Sequence, residues 1–176
     1  MRETRAGDKR VLFASFPARL LASRPVDVVR LTVPGSLHYR DVAVRTVSSV
    51  CKLVQGTRDG VDHEIVSAFS EAFNNVVIHG YEGGLVREIE IEVVLGESSI
   101  TVHLRDFGKS FDFSSVPLPS LDDLPESGLG VFIIRSFMDD VRYVSGSPNV
   151  LSMTKRLTGP LPRALTGSAK EMAGEK

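Results

Sequence analysis

Residues 87–108 read REIEIEVVLGESSITVHLRDFG, and this stretch sets the fold class. Glu88, Glu90 and Glu92 alternate with Ile89, Ile91 and Val93. After Gly96-Glu97-Ser98-Ser99, Ile100, Val102 and Leu104 alternate with Thr101, His103 and Arg105. A period of two over both halves predicts a β-hairpin with one buried and one wetter face. The segments around it change period. Upstream, Val28–Val33 reads as a strand stopped by Pro34 and Gly35. Ser36 then opens a helix to about Val54, with Leu37, Val44, Val47, Val50, Cys51 and Val54 at helical spacing. A second helix runs from Asp62, as cap, to Gly80. Downstream lie a long loop over 107–127, a helix over Leu129–Asp139, and strands Val141–Val144 and Val150–Leu157 around a Gly-Ser-Pro-Asn turn. Hairpin-linked strands with a few helices give an α+β two-layer sandwich. Its expected sheet is mixed but mostly antiparallel, with helices on one face.

The whole chain is consistent with one domain. It has 176 residues, 42% hydrophobic and 24% charged, enough to bury a core without metals or disulfides. Residues 27–157 form the expected domain, 1–26 an N-terminal extension and 158–176 a flexible C-terminal tail. Charge argues against nucleic acid as a direct partner. The first ten residues carry four basic and two acidic groups and residues 158–176 three and two. The stretch between holds 14 basic against 18 acidic, a poor match to a phosphate backbone. Cys51 is the single cysteine, so no intrachain disulfide and no cysteine-based zinc site can form. It reads as a small core residue. No window approaches the roughly 20 apolar residues of a membrane span. The N-terminus makes a poor signal peptide, and the expected location is cytoplasmic.

Three short motifs carry chemistry. In the second helix Ile65, Phe69, Ala72, Phe73 and Val76 form an apolar arc. Glu71, Asn75 and His79, at i, i+4 and i+8, make a separate stripe. A carboxylate and an amide oxygen one turn apart can face one pocket. The amide oxygen suits Mg²⁺, and the carboxylate can deprotonate a nucleophile. The plain alternative is a solvated helix face. The second motif is Asp106-Phe107-Gly108, closing the hairpin. An Asp there can accept a hydrogen bond from a ligand amine beside a close-lying backbone, or simply serve a turn. The third is Gly128-Leu129-Gly130, opening the helix. Glycines before a helix N-terminus let backbone N–H groups approach phosphate. Each motif alone is weak.

In this order they resemble the ATP-binding signature of the GHKL superfamily, which includes gyrase, histidine kinases and MutL. Within it, EAFNNVVIHGY (71–81), VHLRDFGKSFD (102–112) and SGLGVFIIRSFMDDV (127–141) are similar to the anti-sigma-factor serine kinases of bacterial partner-switching systems. The resemblance covers residues 28–157 and implies a Bergerat-type ATP-binding fold. It implies that Asn75 coordinates the Mg²⁺ on the ATP phosphates and that Glu71 is the general base or the orienting group for the attacking hydroxyl. Asp106 would bind the adenine amino group, with Gly108 giving the base room. Gly128, Leu129 and Gly130 would hold the phosphates, and the loop before them would be the nucleotide lid. It further implies a sigma factor and an antagonist protein as partners, and it allows a homodimer.

Two features depart from that family. Ser110 replaces the second glycine of the first glycine motif, and Ser110 to Ile134 contains no Lys or Arg. The cation-poor lid keeps open a second class of function, a non-catalytic ATP-binding module that sequesters a protein. A histidine-kinase catalytic fragment is a third reading, disfavoured because no phosphoacceptor helix precedes the domain. No Gly-x4-Gly-Lys-Ser/Thr loop, no strand-to-helix Gly-x-Gly-x-x-Gly and no eukaryotic kinase motif occurs.

Overall fold

In a computed structural model, the residues described are 27–54, 59–81, 87–111, 113 and 129–157. The N-terminal extension, the C-terminal tail, most of the expected lid and Gly128 lie outside them. Five strands, β1 (Asp27–Pro34), β2 (Glu88–Leu95), β3 (Ser99–Asp106), β4 (Asp140–Val144) and β5 (Asn149–Arg156), form one sheet in the order β1-β2-β3-β5-β4. Every pairing is antiparallel, so the expectation of a mixed sheet is corrected. The crossover through α3 does return β4 in the direction of β3, but at the sheet edge, and β5 then inserts between the two, antiparallel to both.

The helices α1 (Arg40–Cys51), α2 (Val61–Asn75) and α3 (Leu129–Phe137) supply the second layer. The hairpin behaves as its alternation requires. Ile89, Ile91, Val93, Ile100, Val102 and Leu104 are buried, and Phe69 and Phe73 of α2 are fully buried in the same core. Burying side chains of this size stabilises by about 1.5–3 kcal/mol each. The other face is polar and internally paired: Arg30 with Glu92 at 2.7 Å, Thr101 with Thr154 at 3.0 Å, His103 with Ser152 at 2.8 Å. Burial lowers the His103 pKa, against the Glu92 charge, so the imidazole is neutral near pH 7.

Local details correct the sequence reading. Ser36 does cap, accepting from the His38 N–H, but what it opens is a 3-10 turn, Leu37–Tyr39. That turn rotates Leu37 outward, so Leu37 is exposed rather than in the core. Val47, Val50, Cys51 and Val54 are buried as expected. Burial pushes the Cys51 thiol up to about 12, which leaves it an unreactive core residue. Asp62 is not the cap of α2. Gly60 is, at φ 87°, a left-handed backbone suited to glycine, and Asp62 sits in the first turn where its charge favours the helix N-terminus. The regular α-helix ends at Asn75, and residues Val76–Gly80 continue as a π-turn. Wide turns of this kind recur where a helix presents side chains to a site.

Among the described residues, no helix is long and apolar enough to cross a membrane.

Candidate nucleotide site

The site forms where the ends of α2, β3 and β5 meet the start of α3. Glu71 and Asn75 lie one turn apart on α2. Gly130 of α3 lies directly against both: a Cβ placed there would stand 3.0 Å from Glu71 Oε2 and 3.4 Å from each polar atom of the Asn75 amide. A side chain here would crowd both groups, so glycine lets the first turn of α3 approach them most closely. Leu129 begins α3 and is partly exposed.

Asp106 closes β3 and is buried, 5% exposed. Its Oδ1 accepts from the Gly108 N–H at 2.8 Å and from Asn149 Nδ2 at 3.0 Å. Its Oδ2 accepts nothing from the described residues and remains available to a ligand donor. Gly108 stacks on the end of the π-turn, where a Cβ would fall 2.4 Å from the Gly80 carbonyl oxygen. Beside it the Lys109 N–H donates to that same carbonyl at 2.8 Å. The helix carrying Asn75 is thereby tied to the loop carrying Asp106. We expect Gly108→Ala to cost about 1–3 kcal/mol of stability, because the obstructing atoms are backbone. Urea unfolding checks it, and an unchanged midpoint would show that the loop can move aside.

A cavity of about 340 Å³ opens among these groups, within the roughly 300–1,000 Å³ of small-molecule sites. Asn75, His79, Asp106, Lys109 and Gly130 line its polar side. Phe111, Phe113 and Tyr143 line an apolar side, with Phe113 and Tyr143 stacked at 6.2 Å between centroids. Burial, with a smaller push from Asp106, raises the Tyr143 pKa, so its hydroxyl is neutral. Glu71 lies against Gly130, one helical turn from Asn75, and is not among the residues that line the cavity. Arg135, the next cation after the lid in sequence, donates to the Phe113 carbonyl at 2.7 Å and stacks 4.9 Å over its ring.

The structure therefore brings Glu71, Asn75, Asp106, Gly108 and Gly130 to one place, with Leu129 at its edge. One residue was missed. Asn149 is fully buried, and all four hydrogen-bonding positions of its amide are filled. Nδ2 donates to Asp106 Oδ1 and to the Gly108 carbonyl, 3.2 Å away. Oδ1 accepts from the Ser110 hydroxyl at 2.5 Å and the Gly146 N–H at 3.0 Å. In sequence Asn149 ends a Gly-Ser-Pro-Asn run and reads as a turn residue. Only the β3–β5 register, which pairs it with Asp106, reveals its position.

The arrangement suits a purine nucleotide. A carboxylate oxygen of the otherwise buried Asp106 is open to an aromatic-walled cavity, and a glycine-opened helix start adjoins an amide and a carboxylate. Among the described residues no group of three His, Cys, Asp or Glu side chains could hold a metal alone. A Mg²⁺ ion bound here fits only with phosphate oxygens and water completing its shell around Asn75, its usual manner of binding.

A family profile for the histidine kinase-like ATPase domain matches residues 35–155. The chain belongs to that family. Its similarity to serine-protein kinases places it among the kinases of the family. It is 30% identical over 145 residues to the serine-protein kinase RsbW of Bacillus velezensis, covering 78% of this chain and 90% of the relative. It is 31% identical over 141 residues to RsbW of Bacillus subtilis, covering 76% and 88%. To RsbW of Staphylococcus aureus it is 33% identical over 138 residues, covering 73% and 86%. A crystal structure of the RsbU and RsbW domains of Rv1364c from Mycobacterium tuberculosis shares the fold, with a TM-score of 0.56 at 18% identity, over 77% of this chain and 33% of that one. The kinase-like ATPase domain thus accounts for the three motifs and for the helix-on-sheet architecture together.

Proposed function

We propose that this protein is an ATP-dependent protein-serine kinase and anti-sigma factor that phosphorylates a serine on a small antagonist protein. The observation that carries the reading is the meeting of Asp106, Asn75 and Gly130 at one cavity, with Glu71 against Gly130. Asp106 Oδ2 accepts from the exocyclic amine of adenine, and Asn149 fixes its rotamer through Oδ1. Gly130 and the start of α3 receive the phosphates, helped by the helix dipole. Lys109, on the cavity wall, adds positive charge. Asn75 supplies an oxygen to Mg²⁺, which when bound neutralises phosphate charge. Glu71 accepts the proton of the attacking serine hydroxyl. The serine Oγ–phosphorus bond forms, the bond from γ-phosphorus to the bridging oxygen breaks, and ADP leaves.

In the partner-switching cycle that follows, the kinase works as a cytoplasmic bacterial homodimer. It holds a sigma factor until unphosphorylated antagonist draws it away, and phosphorylation releases the antagonist. The test is to incubate the protein with Mg-ATP and an anti-sigma-factor antagonist protein from the same organism, then weigh the antagonist. Addition of one phosphate to one serine is the expected result. An antagonist that binds only with ATP present but keeps its mass would overturn the kinase reading. It would favour a non-catalytic module that closes on ATP and sequesters its partner. The engagement of Arg135 by Phe113 gives that second reading its support, because it occupies a cation near the lid.

A further inference from the structure

The end of the α2–α3 pair remote from the cavity holds a buried cation. Lys155, on β5, is 8% exposed. Its ammonium lies 2.5 Å from Glu64 Oε2 on α2 and 2.6 Å from the Phe137 carbonyl, the last residue of α3. Asp139 Oδ1 stands 4.0 Å away, and Asp139 is itself held by the Arg156 N–H at 2.6 Å and by donating to the Thr154 carbonyl at 2.9 Å. One ammonium thus joins a carboxylate of α2 to the C-terminal carbonyl of α3, where a cation is favoured by the helix dipole.

The numbering of these contacts matters. At the cavity end Gly130 meets Glu71; at the far end Phe137 is bridged to Glu64. Each helix runs seven residues between its two contacts, about 10 Å of rise on both. The helices are therefore antiparallel and in register, with the nucleotide site at one end and Lys155 at the other. α3 has only nine residues, too few to be stable on its own. Its apolar face, Val131 and Ile134, is buried, but apolar packing resists sliding along the axis less well than a directional, charged contact does. The fit at Gly130 leaves little room: a Cβ would already touch Glu71 Oε2 at 3.0 Å.

We propose that Lys155 is a positioning residue for the phosphate end of the site. It pins the α2–α3 register, so that the start of α3 meets Glu71 and Asn75 at the distance that phosphate binding needs. The inference rests on the nucleotide reading given above and assigns this residue no contact with nucleotide.

Its signature is selective. The hydrogen-bonding groups of the adenine end, Asp106, Gly108 and Asn149, sit on β3, the loop after it and β5, so α3 reaches that end only through the apolar side chains Val131 and Ile134 on the cavity wall. The experiment compares wild type with Lys155→Met and with the double variant Lys155→Met/Glu64→Gln. The double variant leaves no lone buried charge, the main hazard of removing one partner of such a pair. Calorimetry gives the affinities for adenosine and for Mg-ATP. We expect the double variant to bind adenosine within about twofold of wild type and to lose at least about tenfold in Mg-ATP affinity. If Lys155→Met fails to fold, the double variant alone supplies the answer. An unchanged ratio of the two affinities would overturn the pin, as would an equal loss of both ligands, which marks general destabilisation. A wild type that binds neither ligand would overturn the nucleotide reading itself, and the pin with it.

Discussion

Glu71→Ala is expected to bind Mg-ATP within about threefold of wild type and to transfer its phosphate to the antagonist about 10²–10⁴ times more slowly, the usual contribution of a general base. The separation of the two effects follows from position. Glu71 lies against Gly130 at the margin of the cavity and does not line it, whereas Asp106, Asn75 and Lys109 do. Removing the carboxylate takes away a proton acceptor and leaves the groups that recognise the nucleotide in place. Folding is not at risk, because Glu71 is only part-buried in mid-helix and alanine is the best helix former. Single-turnover labelling of the antagonist, beside a calorimetric titration of the same variant, reads both quantities. Undiminished labelling would remove Glu71 from the base role. Loss of ATP binding in parallel would make it a binding residue instead.

Asp106→Asn is expected to weaken ATP binding by at least about 100-fold, roughly 3 kcal/mol, while the melting temperature stays within a few degrees. Both halves come from the two carboxylate oxygens. Oδ1 holds the Gly108 N–H and the Asn149 amide, and an asparagine oxygen can take over both bonds. The amide nitrogen must then occupy the place of Oδ2. There it presents a donor to the adenine amine, itself a donor, and both are left unsatisfied in a buried site. The same replacement should narrow the preference for ATP over GTP, because guanine offers an acceptor at that position. Competition titrations with the two nucleotides check this. Equal ATP affinity in wild type and variant would move the base-binding site away from Asp106.

The parts of the site legible in the sequence are those fixed by local periodicity. The Glu71–Asn75 spacing needs only a helix, and the placement of Asp106 at a strand end needs only the alternation of the hairpin. Gly130, a weak signal as a lone glycine at a helix start, was legible only through the order of the three motifs. What escaped depended on contacts between distant segments. Asn149 gains its role from lying opposite Asp106, 43 residues away in the chain. Lys155 gains its role from two helices that converge on one strand. Gly80 was read only as a helix end, yet its carbonyl supports Gly108 and Lys109. Leu37 went the other way: its spacing fitted the helical stripe, but a 3-10 turn at Ser36 displaced it to the surface. Period signals survive such local changes, whereas single residues at element ends do not.

The most direct test of the central claim is a calorimetric titration of Mg-ATP into the folded, nucleotide-free wild-type protein, repeated with Asp106→Asn. The account predicts saturable binding of one ATP per chain in the wild type and none at the same concentrations in the variant. Absence of binding to the wild type would contradict it, and would mean that the fold is kept while the ATP role assigned to this cavity is lost.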